Sequence, residues 1–344
     1  HKVSVSSLVA VLLALAVAYA PAADAGEPVV ITGVTAWFKD YVFNQGMFEL
    51  QKVLKQRSGG SMTIKWKGGP EVAPPFEQIQ PLKDGVFDML NTSGAYYTQI
   101  VPEAVLMDYL DGPVSELRKA GVIDLFDKVN QKKAGVKLLG LTSSGTPYHL
   151  FTKKPIKSIK DFNGKKMRGT PTYIPLIEGL GASPVIMPAS EIYTALDRGV
   201  VDGFAWPRMG IEQQKLYEVT CCVINPGFWT VRTVLLMNLK AWEKLSPDQQ
   251  KLLMESVIKI EEEMGKRHAA MSEKEIDGLV KKHNMKVIDL PEDQAKRYRG
   301  IAYTRPFKSW AKKMPKFTAK VEAMAKKVSP AWPPMSYHLI KISR

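Results

Sequence analysis

The chain has 344 residues, enough for two domains of ordinary size, with 45% hydrophobic and 24% charged residues, a globular composition able to build real cores. Its net charge is +14, but the lysines come as scattered pairs such as Lys165-Lys166, Lys281-Lys282 and Lys326-Lys327. That argues against a basic tail and reads as solvated surface.

In chain order, the first feature is the uncharged run Leu8 to Ala20, preceded by Lys2 and followed by Ala23-Asp24-Ala25. It has the apolar core and small-residue cleavage site of a secretory signal peptide, and it is too short to span a bilayer comfortably. Residues 1–25 are therefore expected to be removed after Ala25. Export weakens the case for nucleic acid, and none is expected as a partner. No later stretch reaches membrane-spanning length, so the mature chain is expected to be soluble and outside the cytoplasm.

Helical Phe43 to Gln56 leads through Ser58-Gly59-Gly60 to a strand over Met62 to Trp66. A weak repeat follows. Residues 81–88 read PLKDGVFD and residues 195–202 read ALDRGVVD, both Leu-x-x-Gly-Val-x-Asp. In each, glycine ends a helix in the left-handed conformation and a buried strand comes next. Duplication predicts two α/β lobes of like construction, and the alternation of strands and helices predicts a mixed, mostly parallel sheet in each. Coincidence is the other reading, since short motifs carry false positives.

The stretch KKMRGTPTY, Lys165 to Tyr173, ends a short strand with Arg168 and turns at once through Gly-Thr-Pro. An arginine where a strand runs out is placed to hold an anion; pairing with Glu178 or Asp202 at the surface is the alternative. Beyond it, Thr172 is expected to cap a short helix ending at Gly181, Ala182 to Met187 to form a strand, and Ser190 to cap the helix Glu191 to Arg198. The only two cysteines, Cys221 and Cys222, are adjacent. Two buried thiols on a strand are expected, with a vicinal disulfide left open because neighbouring Cα atoms lie about 3.8 Å apart, below the usual span.

Ser246-Pro247-Asp248-Gln249 is a capping box with proline at the first helical position. Apolar residues then recur every three or four positions from Leu253 to Val280, and Asn284 is a candidate stop. A helix over 247–283 would be roughly 54 Å long at 1.5 Å per residue, more than one lobe. Unless Gly265 or Gly278 interrupts it, it must brace both.

The segment Pro155 to Gly203 closely resembles the signature region of the solute receptors of tripartite ATP-independent periplasmic (TRAP) transporters, of the dicarboxylate-receptor type. Lys166-Met167-Arg168, Leu180-Gly181-Ala182, Met187-Pro188, Glu191-Ile192-Tyr193 and the run from Ala195-Leu196 to Gly203 carry it. The resemblance extends to Gly85–Tyr97, to Met237–Trp242 and to the long helix. It implies a two-lobe, type II-like periplasmic binding protein that closes on a small organic acid and docks on a membrane permease. On that frame, lobe I comprises 26–148 plus about 234–260, and lobe II 149–233 plus about 261–344. The resemblance also implies that Arg168 pairs with the ligand carboxylate.

Other site residues expected from the resemblance or from strand ends are Trp206, Tyr148, Phe228, Trp229, Ser93, Tyr97, Trp37 and Arg208. Each aromatic could equally be core. Trp206 matches the 2-oxo-acid receptors, but the acidic residue linked there to a bound cation is Ala205 here, which puts a metal in doubt; no cofactor is expected, with a bound cation left as the alternative. Tyr148-His149 stands where many members carry Arg or Gln, so a second strong cationic contact is missing. Together these favour a monocarboxylate: a 2-oxo, 2-hydroxy or aromatic acid. The expected partners are that acid and the TRAP membrane subunits, with the chain a monomer or homodimer. A sensor feeding a membrane kinase is an alternative. An exported enzyme is a weaker one: no G-x-S-x-G or H-E-x-x-H occurs, and His149, His268, His283 and His338 are dispersed.

Overall fold

The computed structural model describes residues 28–329. The expected signal segment and His338 lie outside the described residues. Among the described residues, eleven strands run in chain order as β1 (Val29–Thr35), β2 (Met62–Gly68), β3 (Met89–Ser93), β4 (Val136–Ser143), β5 (Pro147–Thr152), β6 (Lys166–Gly169), β7 (Ser183–Ile186), β8 (Gly203–Pro207), β9 (Cys222–Thr230), β10 (Thr233–Asn238) and β11 (Lys286–Asp289). They form two sheets, ordered β2-β1-β3-β10-β4 and β11-β9-β5-β8-β6-β7.

Each sheet is mixed, and each has one strand running against the rest: β10 between β3 and β4, and β5 between β8 and β9. Those two strands are the ones that follow a crossing from the other lobe, at residues 144–146 and 231–232. With β11 set aside, the lobes therefore share one plan, in which β1 corresponds to β6, β2 to β7, β3 to β8, β10 to β5, and β4 to β9. The weak sequence repeat falls at equivalent places. Gly85 (φ 77°) and Gly199 (φ 70°) are both left-handed after a short helix. The repeat's aspartate then does the same work twice. Asp88 Oδ2 accepts the Thr32 N–H at 2.8 Å, and Asp202 Oδ2 accepts the Lys166 N–H at 2.8 Å. Each carboxylate ties the entrance of one strand to its parallel neighbour.

Four of the helices pack against the sheets and brace the lobes. They are α1 (Gln45–Arg57), α2 (Pro247–His283), α3 (Glu292–Lys313) and α4 (Pro315–Val328). The capping box forms at Ser246 and Gln249, and Asn284 closes α2 at φ 55°. The helix runs unbroken through Gly265 and Gly278 for 37 residues. Leu253, Val257, Ile260 and Met264 pack into a cluster with α1 and the first sheet; Ile276 and Leu279 join the larger core that includes the second lobe. Thus α2 braces both lobes. At the crossing, a Cβ on Gly145 would stand 2.3 Å from the Gly265 carbonyl oxygen, and Gly145 has φ 81°; only glycine lets strand connection and helix touch there.

Several local expectations differ. Thr172 does not cap a helix, because a 3-10 turn over Pro171–Tyr173 intervenes before the helix at Ile174. Ser190 likewise sits inside a 3-10 turn, and the following helix has no side-chain cap. In both places the proline that precedes the helix sets a tighter turn first. Cys221 and Cys222, expected as buried thiols, are bonded to each other with Cα atoms 3.7 Å apart; the bond forms where the chain enters β9, and adjacency in sequence did not prevent it. Finally, α4 returns to the first lobe, where Phe317 packs edge-on against Phe126 at 5.4 Å. Among the described residues no helix is long and apolar enough to cross a membrane.

Candidate functional site

The carboxyl ends of β1, β3, β6 and β8 point at the gap between the lobes, together with the starting ends of the reversed strands β5 and β10. Ligands in open α/β sheets bind at such ends. Here they enclose a cavity of about 30 Å³ lined by Trp37, Ser93, Tyr148, Arg168, Trp206 and Thr233, among others. One water-sized group needs about 10–15 Å³, so the lobes are nearly shut around this space.

Arg168 is fully buried in its wall. Its Nε and Nη2 donate to the Met187 carbonyl at 3.1 and 2.8 Å, and its Nη1 reaches the Ala205 carbonyl at 3.5 Å. The guanidinium lies over the Trp206 ring, 5.5 Å from its centre. Among the described residues no carboxylate forms an ion pair with it. Neither Glu178 nor Asp202 does; Asp202 is occupied by the Lys166 N–H. A buried charge without a counter-charge costs several kcal/mol, and this one faces a cavity.

The opposite wall belongs to the first lobe. Tyr96 sits there; burial raises its hydroxyl pKa, against the lowering influence of the Arg168 charge and of hydrogen bonding to the Ala189 backbone and Arg168. Asp108, in the 3-10 segment Pro102–Tyr109, lines the same space. The lobes are stitched together around it. Thr172 Oγ1 donates to Asp108 Oδ2 at 3.1 Å, and Tyr109 Oη donates to the Thr172 carbonyl at 2.8 Å. Nearer the mouth, Gln213 of the second lobe reaches the loop after β1: its amide donates to the Asp40 carbonyl, and its Oε1 accepts the Val42 N–H at 3.2 Å.

Gln213→Ala removes both contacts but touches nothing in the cavity. With about 0.5–1.5 kcal/mol net per hydrogen bond, ligand affinity is expected to fall several-fold through faster release. Stopped-flow dissociation reads this directly; an unchanged off-rate would show that the bridge plays no part in holding the lobes shut.

Of the residues expected at the site, Arg168, Trp206, Tyr148, Ser93 and Trp37 meet at the cavity. Four do not. Phe228 packs among Tyr148, Trp229, Tyr173 and Tyr298 behind the wall. Trp229 is plugged into α3, its Nε1 donating to the Ala302 carbonyl at 2.7 Å and its backbone N–H to Tyr303 Oη at 2.9 Å. The irregular end of β9, where Trp229 has φ 44°, turns these rings away from the cleft and toward the C-terminal helices. Tyr97 is buried within the first lobe while Tyr96 takes the cavity. The exchange follows from Ser93, whose Oγ accepts the Ala95 N–H and starts a tight turn that breaks the strand's alternation. Arg208 is engaged by Glu273 of α2 at 2.5 Å and lines a separate groove on the hinge side, lined also by Gly145 and Gly265.

Phe43, Tyr96, Asp108, Thr170 and Tyr173 also line the cavity and were not anticipated. Thr170 and Tyr173 stand within the KKMRGTPTY stretch that carried the arginine; Asp108 has no local signal in the sequence. His149 brings no cation. It is buried, and burial with the nearby Arg208 charge pushes its pKa down to about 3, only partly opposed by its contact with the Ile224 carbonyl.

Residues 35–304 match the model of a family described as bacterial extracellular solute-binding protein, family 7. An uncharacterized protein of Salmonella typhimurium is 28% identical over 237 residues, which is 66% of this chain and 71% of that protein. Two solved structures share the fold. A TRAP periplasmic solute-binding protein from Desulfovibrio desulfuricans, with bound sn-glycerol-3-phosphate, has a TM-score of 0.78 at 23% identity, over 87% of this chain and 97% of that one. One from Pseudoalteromonas atlantica, with bound sodium and pyruvate, has a TM-score of 0.78 at 19% identity, over 90% and 96%.

Proposed function

The chain belongs to family 7 of the bacterial extracellular solute-binding proteins, and from that premise we propose that it is an exported receptor that binds a small monocarboxylate between its lobes and hands it to a TRAP membrane permease. The observation that carries the reading is Arg168: a fully buried guanidinium, lacking any carboxylate partner among the described residues, on the wall of an interlobe cavity. A ligand carboxylate supplies the missing charge and accepts from the planar fork bidentately. The lobes must part to admit it and close to desolvate it, and closure strengthens the contact by lowering the local dielectric.

A monocarboxylate fits better than a dicarboxylate. Arg208 is spoken for by Glu273, and His149 is neutral above pH of about 3. The small enclosed volume favours a compact 2-oxo or 2-hydroxy acid over an aromatic one. The Pseudoalteromonas neighbour holds pyruvate, which supports the size class. We propose no carboxylate-held cation at position 205, where the resemblance places an acidic residue and this chain offers only a methyl group.

A thermal-shift screen of the mature chain against small organic acids tests the reading, since a ligand that binds only the folded state raises its melting temperature by mass action. At 100 times its Kd, an acid adds about 2.7 kcal/mol. Stabilisation by one or a few monocarboxylates, recovered chemically unchanged, is the expected outcome; no shift with any acid, or turnover of one, defeats it.

A further inference from the structure

The first lobe's contribution to the cavity is unexplained by an anchored carboxylate alone. Asp108 lies there, only 3% exposed, in a 3-10 segment whose other buried carboxylate, Glu103, is paired with Lys133. It forms no ion pair among the described residues. It accepts a hydrogen bond from across the cleft, from Thr172, two residues beyond Thr170 and four beyond Arg168. Among the residues lining this space, one from each lobe is an acid or a base: a guanidinium on the second and a carboxyl on the first.

We propose that Asp108 is a ligand-contacting residue that reads the oxygen next to the carboxylate of a 2-oxo or 2-hydroxy acid, and so sets the receptor's preference against unsubstituted acids. The inference rests on the carboxylate-receptor reading above and extends it.

The chemistry follows from charge and hydrogen-bond accounting. With the ligand's carboxylate on Arg168, an ionised Asp108 would place a second negative charge in a site with no water to screen it. The neutral acid avoids this. Thr172 Oγ1 donates to Oδ2, which suits a carbonyl-type oxygen. The other oxygen can then carry the proton and donate it in a hydrogen bond to the ligand's 2-oxygen. The groups around Asp108 permit that state. Burial pushes its pKa up to about 7, opposed by the Thr172 hydrogen bond and the Arg232 charge. Tyr97, Tyr148 and Tyr173 face it as well, all held neutral by burial, and Tyr109 on its own segment is likewise neutral. Arg168 is the other charge on the cavity.

The sign of the pH dependence is fixed by this. A carboxyl exposed by opening of the cleft titrates near its ordinary value of about 3.9. Closed, it keeps its proton up to about pH 7. Closure therefore takes up a proton between those values, and affinity rises as pH falls from 8 toward 6 while the ligand stays ionised.

The test measures binding of pyruvate, lactate and propionate by calorimetry to the intact mature chain and to Asp108→Asn and Asp108→Leu, at pH 6 and pH 8. Wild type is expected to prefer pyruvate or lactate to propionate at least tenfold, and to bind more tightly at pH 6. Asp108→Asn, which still offers donors, retains the preference and loses the pH dependence. Asp108→Leu also removes the Thr172 bond across the cleft, so it weakens propionate several-fold, but it weakens pyruvate and lactate about tenfold more and so loses the preference. Equal weakening of all three acids by Asp108→Leu would make Asp108 a purely structural residue and overturn the proposal. A wild-type chain that binds the three acids equally overturns it too, leaving the receptor reading intact; one that binds none of the three at either pH defeats the compact-monocarboxylate reading on which the proposal rests.

Discussion

Arg168→Met is expected to abolish carboxylate binding while leaving the fold standing. The guanidinium's charged hydrogen bonds to a ligand carboxylate are worth about 1.5–3 kcal/mol each. Losing a bidentate pair therefore weakens affinity by about 10²–10⁴-fold. Stability is expected to change less than for most core substitutions. Methionine fills much of the same volume against Trp206 and removes a charge that no carboxylate balances among the described residues. Replacing buried ions by apolar groups of similar size is often neutral or stabilising. Against this, the Met187 carbonyl loses its donor, a cost of about 1–3 kcal/mol. The net change in melting temperature is thus expected within a few degrees of wild type, with no thermal shift on adding acid. Calorimetric affinity within threefold of wild type would remove Arg168 from the site.

The second large effect concerns the brace. Glu261 of α2 is 3% exposed and accepts three hydrogen bonds from the first lobe: Arg118 Nε at 2.6 Å, Arg118 Nη2 at 2.9 Å and the Leu141 N–H at 2.7 Å. Gly140 makes room for it, since a Cβ there would stand 2.3 Å from Glu261 Oε1. Glu261→Ala leaves Arg118 half of a broken pair, still donating to the Leu139 carbonyl, and strands the Leu141 amide in the sheet. Breaking one side of a buried pair typically costs about 3–5 kcal/mol. Chemical denaturation is expected to show a loss of that order for Glu261→Ala, a smaller one for Glu261→Gln, and less than about 0.5 kcal/mol for the neighbouring Glu262→Ala. Similar losses at 261 and 262 would mean that the carboxylate does not anchor the helix to the sheet. Because the same helix is tied to the second lobe through Glu273 and Arg208 and through Glu275 and the Gly210 N–H, loosening it at Glu261 is expected to alter ligand release as well.

Much of this protein was legible without coordinates because its strongest signals are local. A capping box, a left-handed asparagine and a three-four apolar period define α2 over a few residues at a time, and all three appear where those residues stand. The repeated Leu-x-x-Gly-Val-x-Asp marks a helix stop and a strand entrance, which are backbone events a short segment decides alone. Arg168 was identifiable because it ends a strand and because the surrounding segment resembles a known receptor family.

What the sequence could not determine is which way side chains face once a strand loses its alternation. Tyr96 and Tyr97 are equivalent in type and adjacent, and a single Ser93 hydrogen bond chooses between them. Phe228 and Trp229 sit at a strand end near the cleft, yet the bend in β9 and the late helix α3 claim both for the core. Asp108 became part of the cavity only when the second lobe brought Thr172 to it across 64 residues of chain. Local chemistry fixed the elements and set an arginine at the end of β6; the opposing wall exists only because two separately built lobes meet, and contacts between segments distant in sequence leave no periodic trace within either one.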